Sequence, residues 1–145
     1  MRKFIAFVAL GVAVMAVAPA TVRAQDADVK VIVNSANAVS EMAAGDITGL
    51  FLKRTAKFPG GGAATPVDQA KNSAIRGAFS KKVLGRPASA VDAYWQQQIF
   101  AGGELPPAVK ASDDDVVAFV KATPGAIGYV SGGASTAGVK VVTVK

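Results

Sequence analysis

The order of its segments predicts an α/β fold, a central sheet flanked by helices. Three observations carry that expectation. Runs rich in β-branched or apolar residues stand at positions 29–33, 126–130 and 139–144, the lengths and compositions of strands. Between the first and second of these, apolar residues recur at helical spacing around 74–83, 91–100 and 116–121. Gly and Pro clusters at 58–62, 85–87, 102–107 and 124–125 punctuate the segments. Strands interleaved with helices in this way form layers around one sheet.

The first 24 residues stand apart. Arg2 and Lys3 precede a 15-residue apolar run at 4–18, and Pro19 breaks it. The run is short of the roughly 20 residues that span a bilayer. Val22-Arg23-Ala24 places small residues at the −3 and −1 positions of a cleavage site before Gln25. The expectation is a secretory signal peptide at 1–24 and one exported domain at 25–145, not stably inserted in a membrane once cleaved. No Cys stands at the junction to take a lipid. The 145 residues less those 24 leave 121, enough for one domain with an ordinary core. Loss of Arg2, Lys3 and Arg23 lowers the formal charge from +6 to +3. The pI of 9.8 therefore overstates the basicity of the working protein, which favours anionic partners only mildly and does not call for nucleic acid.

The chain has no His and no Cys. The usual general base, the commonest metal ligand and every Ser-His or Cys-His dyad are thereby missing. With no nucleophile–base pair in view, the expectation is a protein that is not an enzyme, with no catalytic residues, no cofactor and no metal.

In chain order, Val-Lys-Val-Ile-Val at 29–33 is the first strand, and a loop with two Asn follows. Positions 40–52 read as helical from Met42, Ile47, Leu50 and Phe51. Gly45 and Gly49 each weaken that helix by about 1 kcal/mol relative to Ala. Their placing suggests a break near Gly45 and a well-formed helix at 46–52. Lys53, Arg54 and Lys57 then complement a helix C-terminus, or offer a docking patch to an anionic partner. Phe-Pro-Gly-Gly-Gly at 58–62 is a turn, and 65–68 is a second strand.

The next helix begins near Asn72 or Ser73, both good N-caps, with Ala74, Ile75, Ala78, Phe79 and Val83 on one stripe. Gly85 and Pro87 end it. Ser89 with Asp92 forms a capping-box arrangement for a helix carrying Val91, Tyr94, Trp95, Ile99 and Phe100. Glu-Leu-Pro-Pro at 104–107 is an extended spacer. Ser112 caps a further helix whose first turn holds Asp113, Asp114 and Asp115. Consecutive helical residues point apart and the alternating pattern of a calcium loop is missing, so the helix dipole accounts for these acids. Strands at 126–130 and 139–144 close the order β-α-β-α-α-α-β-β.

The stretch from Thr65 to Phe79 is the candidate binding site. A short strand, a polar loop and a helix start bring free backbone N–H groups beside polar and basic side chains, a ready site for an anion. The candidate ligand-binding residues are Gln69, Asn72, Ser73, Ala74, Ile75 and Arg76. Gly60-Gly61-Gly62 leads into Ala63-Ala64 rather than Gly-Lys-Ser, so it is not a nucleotide-binding loop.

Taken together, these segments resemble the phosphate-type periplasmic substrate-binding proteins of ABC transporters. Thr-Pro-Gly-Ala-Ile-Gly-Tyr-Val at 123–130 is similar to the family's Asn-Pro-Gly-Ala-Ile-Gly-Tyr. Val31-Ile32-Val33-Asn34 with Val39-Ser40 resembles its crossing strand and Asn-Pro-Val-Ser entry, and Leu50-Phe51-Leu52-Lys53 its Ile-Phe-Leu-Gly-Lys helix end. Phe58-Pro59 stands where a Trp is usual. Positions 72–79 stand where the family has Gly-Ser-Gly-Thr-Arg and a later Phe, and Val83-Leu84-Gly85 matches the end of that helix.

The resemblance implies a single lobe, the second of the family's two, and a solute-binding function with phosphate or a similar oxyanion held near Ser73. Its Arg, about four residues before the Ser, is replaced here by Gln69, and its Gly-Thr pair by Ala74-Ile75. Those changes remove a bidentate charged contact and a hydroxyl donor, so binding is expected to be weak. The implied partners are an ABC permease, or, if the lobe has become an interaction module, another envelope protein or a second copy of the chain.

Overall fold

The computed structural model describes residues 28–145. The signal peptide expected at 1–24 and the cleavage before Gln25 lie outside the described residues. At the centre of the sheet is β1 (Val29–Asn34), whose last four residues are buried. On one side it pairs antiparallel with β5 (Ala126–Ser131), Val31 opposite Tyr129, and on the other antiparallel with β6 (Val139–Val144), Val31 opposite Val142. Beyond β5 lies β3 (Thr65–Gln69), parallel to it, and then β4 (Ala108–Lys110), parallel to β3. At the opposite edge β2 (Glu41–Met42) runs parallel to β6, completing the order β2-β6-β1-β5-β3-β4.

Alternation along the central strands sorts the core into two faces. Val31, Val33, Ile127 and Tyr129 face one side, where α1 (Ala44–Phe51), α2 (Ala74–Lys82) and α3 (Ala88–Phe100) pack with Ile47, Leu50, Phe51, Phe79 and Trp95. Ile32, Val130, Val67 and Ala126 face the other side, covered by Val116 and Val120 of α4 (Asp113–Ala122). Both faces of β5 are therefore covered, which is why its sequence is continuously apolar. Gly128 lets α4 approach: a Cβ there would lie 2.7 Å from Val116 Cγ1 and 2.9 Å from Val67 Cγ1.

The helix termini follow local chemistry where the sequence supplies it. Ser112 Oγ accepts from the Asp115 N–H at 3.2 Å, capping α4 as expected. At the other end of α4, Asn34 Nδ2 donates to the carbonyls of Val120 and Lys121 at 2.9 and 3.0 Å.

Three local expectations are corrected. Glu41 and Met42 form a strand, because β6 captures that segment: Thr143 N–H donates to Ser40 O and Lys145 N–H to Met42 O. The helix then starts at Ala44, so Gly45 lies inside it rather than at a break. Ser89 does not cap α3; Pro87 is the N-cap residue, with its fixed φ, and Asp92 is turned to Arg76. Directly after the expected spacer at 104–107, residues 108–110 form the edge strand β4, recruited by β3, where no element was expected.

Candidate functional site

The parallel strands β3, β4 and β5 end on one edge of the sheet, at Gln69, Lys110 and Ser131. Two helices start from that edge, α2 after β3 and α4 after β4. The carboxyl ends of parallel strands are where open α/β sheets hold ligands, because helix N–H groups converge there. The start of α4 is already matched by its three Asp residues and Ser112. The first turn of α2 carries no acid.

A polar network is built under this edge. Gln69 ends β3 and is 3% exposed. Its Nε2 donates to Asp113 Oδ1 and to Tyr129 O, both at 2.9 Å, and its Oε1 accepts from Ser73 Oγ at 3.3 Å. Asp113 Oδ1 also accepts from the Ser131 N–H at 3.2 Å, tying the ends of β3 and β5 to the start of α4. Asp68 Oδ1 accepts from the Gln69 N–H at 2.8 Å and from the Tyr129 hydroxyl.

Arg76 is 4% exposed. Its Nε lies 3.4 Å from Asp68 Oδ2 and its Nη2 2.7 Å from Asp92 Oδ1. Burial opposes the charge on this guanidinium, but the hydrogen bond to Asp92 and the two nearby carboxylates outweigh it and hold its pKa above the ordinary value. Between Trp95, Ile99 and Val109 on one side and Asp68, Arg76 and Asp92 on the other runs a groove of about 160 Å³. A larger cleft, about 360 Å³, lies just before the amino ends of β3 and β5, around Phe58, Gly60 to Gly62 and Pro124; no ionisable side chain lines it.

Burial, followed by the Asp68 charge and hydrogen bond, pushes the Tyr129 hydroxyl well above the ordinary tyrosine range. The folded state therefore keeps this proton at pH values where the unfolded chain has lost it. Its contribution is fully present below about pH 10 and falls as pH rises further. Tyr129→Phe is expected to flatten the alkaline limb of a stability–pH curve, read by urea unfolding. At neutral pH the same variant should lose about 1–2 kcal/mol, since Asp68 loses a donor.

The six candidate residues do not converge on one point. Gln69 and Ser73 are in contact, and Arg76 joins them through Asp68 and the backbone of Gln69. Ser73 sits at the N-cap position, yet its hydroxyl makes no cap hydrogen bond to the helix and turns to Gln69 instead. Asn72 and Ala74 are exposed beside it. Ile75 turns away into the core, 6% exposed. Sequence reasoning missed Asp68, Asp92, Tyr129 and the tether through Asp113. One signal was readable: an Arg in the first turn of an apolar-striped helix, with no acid beside it, needs carboxylates from elsewhere. Among the described residues no three His, Cys, Asp or Glu side chains are grouped to hold a metal. No described helix is long and apolar enough to cross a membrane.

No family model matches the chain. No curated protein matches it either. Solved structures do. A Clostridium perfringens protein assigned as a phosphate ABC transporter substrate-binding protein, solved with bound phosphate, superposes with a TM-score of 0.65 at 19% identity, over 81% of this chain and 45% of that one. An ABC-type phosphate transport receptor of Vibrio cholerae gives 0.64 at 16% identity, over 81% of this chain and 46% of the other. PstS of Borrelia burgdorferi gives 0.63 at 12% identity, over 82% and 47%. The chain thus spans a little under half the length of each of these neighbours. What the likeness shows is the fold: a mixed α/β, single-lobe, periplasmic-binding-protein-like domain with a six-stranded central sheet flanked by helices.

Proposed function

We propose that this chain is an exported, periplasmic solute-binding-type protein related to the phosphate transport proteins, and that it takes phosphate or a similar oxyanion weakly at the start of α2. The observation that carries this reading is Ser73. Its hydroxyl lies at the N-cap of a helix whose first turn has no acid, is half-buried at the carboxyl edge of the parallel strands, and is not engaged in capping. It can turn from a long contact with Gln69 to a ligand oxygen, beside backbone N–H groups of 74 to 76. The binding named for the Clostridium and Vibrio proteins supports phosphate as the ligand class.

Weakness has a physical source in the same place. Arg76, the guanidinium nearest the helix start, is already matched by Asp68 and Asp92, and Asp113 adds a third carboxylate behind Gln69. An oxyanion therefore meets hydrogen-bond donors but no uncommitted guanidinium. Under this reading an ABC permease is the transport partner, and the role is binding without catalysis.

Calorimetric titration of residues 25–145 with phosphate and sulfate tests the proposal. Binding in the millimolar range is expected, about −4 kcal/mol. Ser73→Ala should weaken it about tenfold, the worth of one hydrogen bond to a charged group, with almost no change in thermal stability. Gln69→Arg should strengthen it by placing a guanidinium between Asp113 and Ser73. No heat from the wild-type chain at millimolar anion would sink the reading.

A further inference from the structure

Among the described residues six large apolar side chains stand exposed, and four of them fall between positions 99 and 109: Ile99 at 53%, Phe100 at 96%, Leu105 at 65% and Val109 at 60%. They occupy the end of α3, the turn through Gly102, where φ is +71°, and the edge strand β4. Ile99 and Val109 also line the groove beside Arg76, so the exposed apolar residues adjoin that groove.

We infer that this surface is the contact between two copies of the chain, packed about a two-fold axis with Phe100 at its centre. The area fits. At these exposures the four side chains present roughly 500 Å² of mostly apolar surface, as large as the biggest patches on typical monomers. A two-fold contact uses the same patch twice, so about 1,000 Å² is removed from water by these residues alone, the threshold for a specific interface. The lining carries both signs: Asp92 and Lys71 stand with Ile99 and Val109 around the groove. Two copies can therefore be apposed without gathering like charges.

The contact is made by side chains rather than by strand addition. β4 is an edge strand, but it is three residues long, follows Pro106 and Pro107, and ends at Lys110. Proline and lysine blunt a sheet edge against pairing with another strand. A copy seated on Phe100 and Ile99 also roofs the groove, covering the side of Arg76 and Asp92 that faces solvent. Such a roof would shield the oxyanion site from water; that consequence alone rests on the function proposed above.

Sedimentation equilibrium of residues 25–145, which keep every described residue, is the test. A concentration-dependent dimer is expected. Phe100→Ser should weaken it at least tenfold while leaving the melting curve of the dilute monomer unchanged, because Phe100 contributes almost no buried surface to the fold. Val141→Ser removes an exposed apolar side chain on β6 and should leave the dimer as it is. A chain that stays monomeric at all concentrations overturns the inference. So does a dimer unaffected by Phe100→Ser, or self-association seen only when residues 1–24 are retained, which would make the N-terminal apolar run the occupant. The two proposals fail separately: phosphate heat from a strict monomer sinks only the dimer, and a dimer without phosphate heat sinks only the oxyanion site.

Discussion

Phe79→Ala is expected to lower the unfolding free energy by about 4 kcal/mol, the middle of the range for removing a buried aromatic ring. Phe79 is 2% exposed and sits where α2 meets the sheet. Its ring stacks on Tyr129, centroids 3.9 Å apart and planes within 6°, and meets Phe51 of α1 at 4.8 Å and 59°. Truncation removes both ring contacts and leaves a cavity bounded by β5, α1 and α2, which a rigid sheet cannot collapse to fill. A domain of this size has about 5–15 kcal/mol in total, so the variant should be marginally folded. Urea unfolding measures the loss, and Phe79→Leu should recover more than half of it. A loss below about 1.5 kcal/mol would mean that the three-ring cluster is not the keystone it is taken to be here. The effect should also reach the binding edge, because the Tyr129 ring held by Phe79 carries the hydroxyl that donates to Asp68.

Arg76→Ala is the second large effect, expected at about 3 kcal/mol. The guanidinium is nearly buried, while the Asp68 and Asp92 side chains are 15% and 28% exposed. Removing the cation leaves two partly desolvated carboxylates flanking the vacated guanidinium position, with only the Tyr129 hydroxyl and the Gln69 N–H left on Asp68. Partial exposure of Asp92 keeps the cost at the low end for a broken buried pair. Arg76→Lys should recover only part, since an ammonium lacks the planar fork that serves both carboxylates at once. Asp92→Asn should cost less than Arg76→Ala, because Arg76 keeps Asp68. Equal stability of wild type and Arg76→Ala in guanidinium unfolding would show that the network contributes nothing net.

Those two residues also show what was legible beforehand. The ring of Phe79 stood on an apolar stripe with Ala74, Ile75, Ala78 and Val83, and the structure buries all of these but Ala74, which is exposed at the helix start. Likewise β1, β5, β6 and α4 were readable, because β-branched alternation and the Ser112 cap with its three acids are local signals whose meaning does not depend on a partner. The short strands were not. Glu41-Met42 and Ala108-Val109-Lys110 have no strong preference of their own and are extended because β6 and β3 offer ladders to them. Ser89 and Asp92 had capping-box spacing, but the tertiary pull of Arg76 on Asp92 won. Within the candidate stretch, Ser73 and Gln69 lie in contact. The carboxylates that engage Arg76 come from 8 residues before it and 16 after, distances at which single-sequence patterns carry no contact information.

The placing of β1 in the middle of the sheet has a kinetic consequence. Both its neighbours are the last two strands of the chain, so the register Val31↔Val142 joins residues separated by about a hundred positions. No native ladder can form on β1 until those final segments have emerged, and closing so long a loop costs entropy before any contact compensates it. Refolding from urea should therefore be limited by a late, global step rather than by the formation of any helix. A chain released segment by segment would leave β1 unpaired until residues 126–144 arrived.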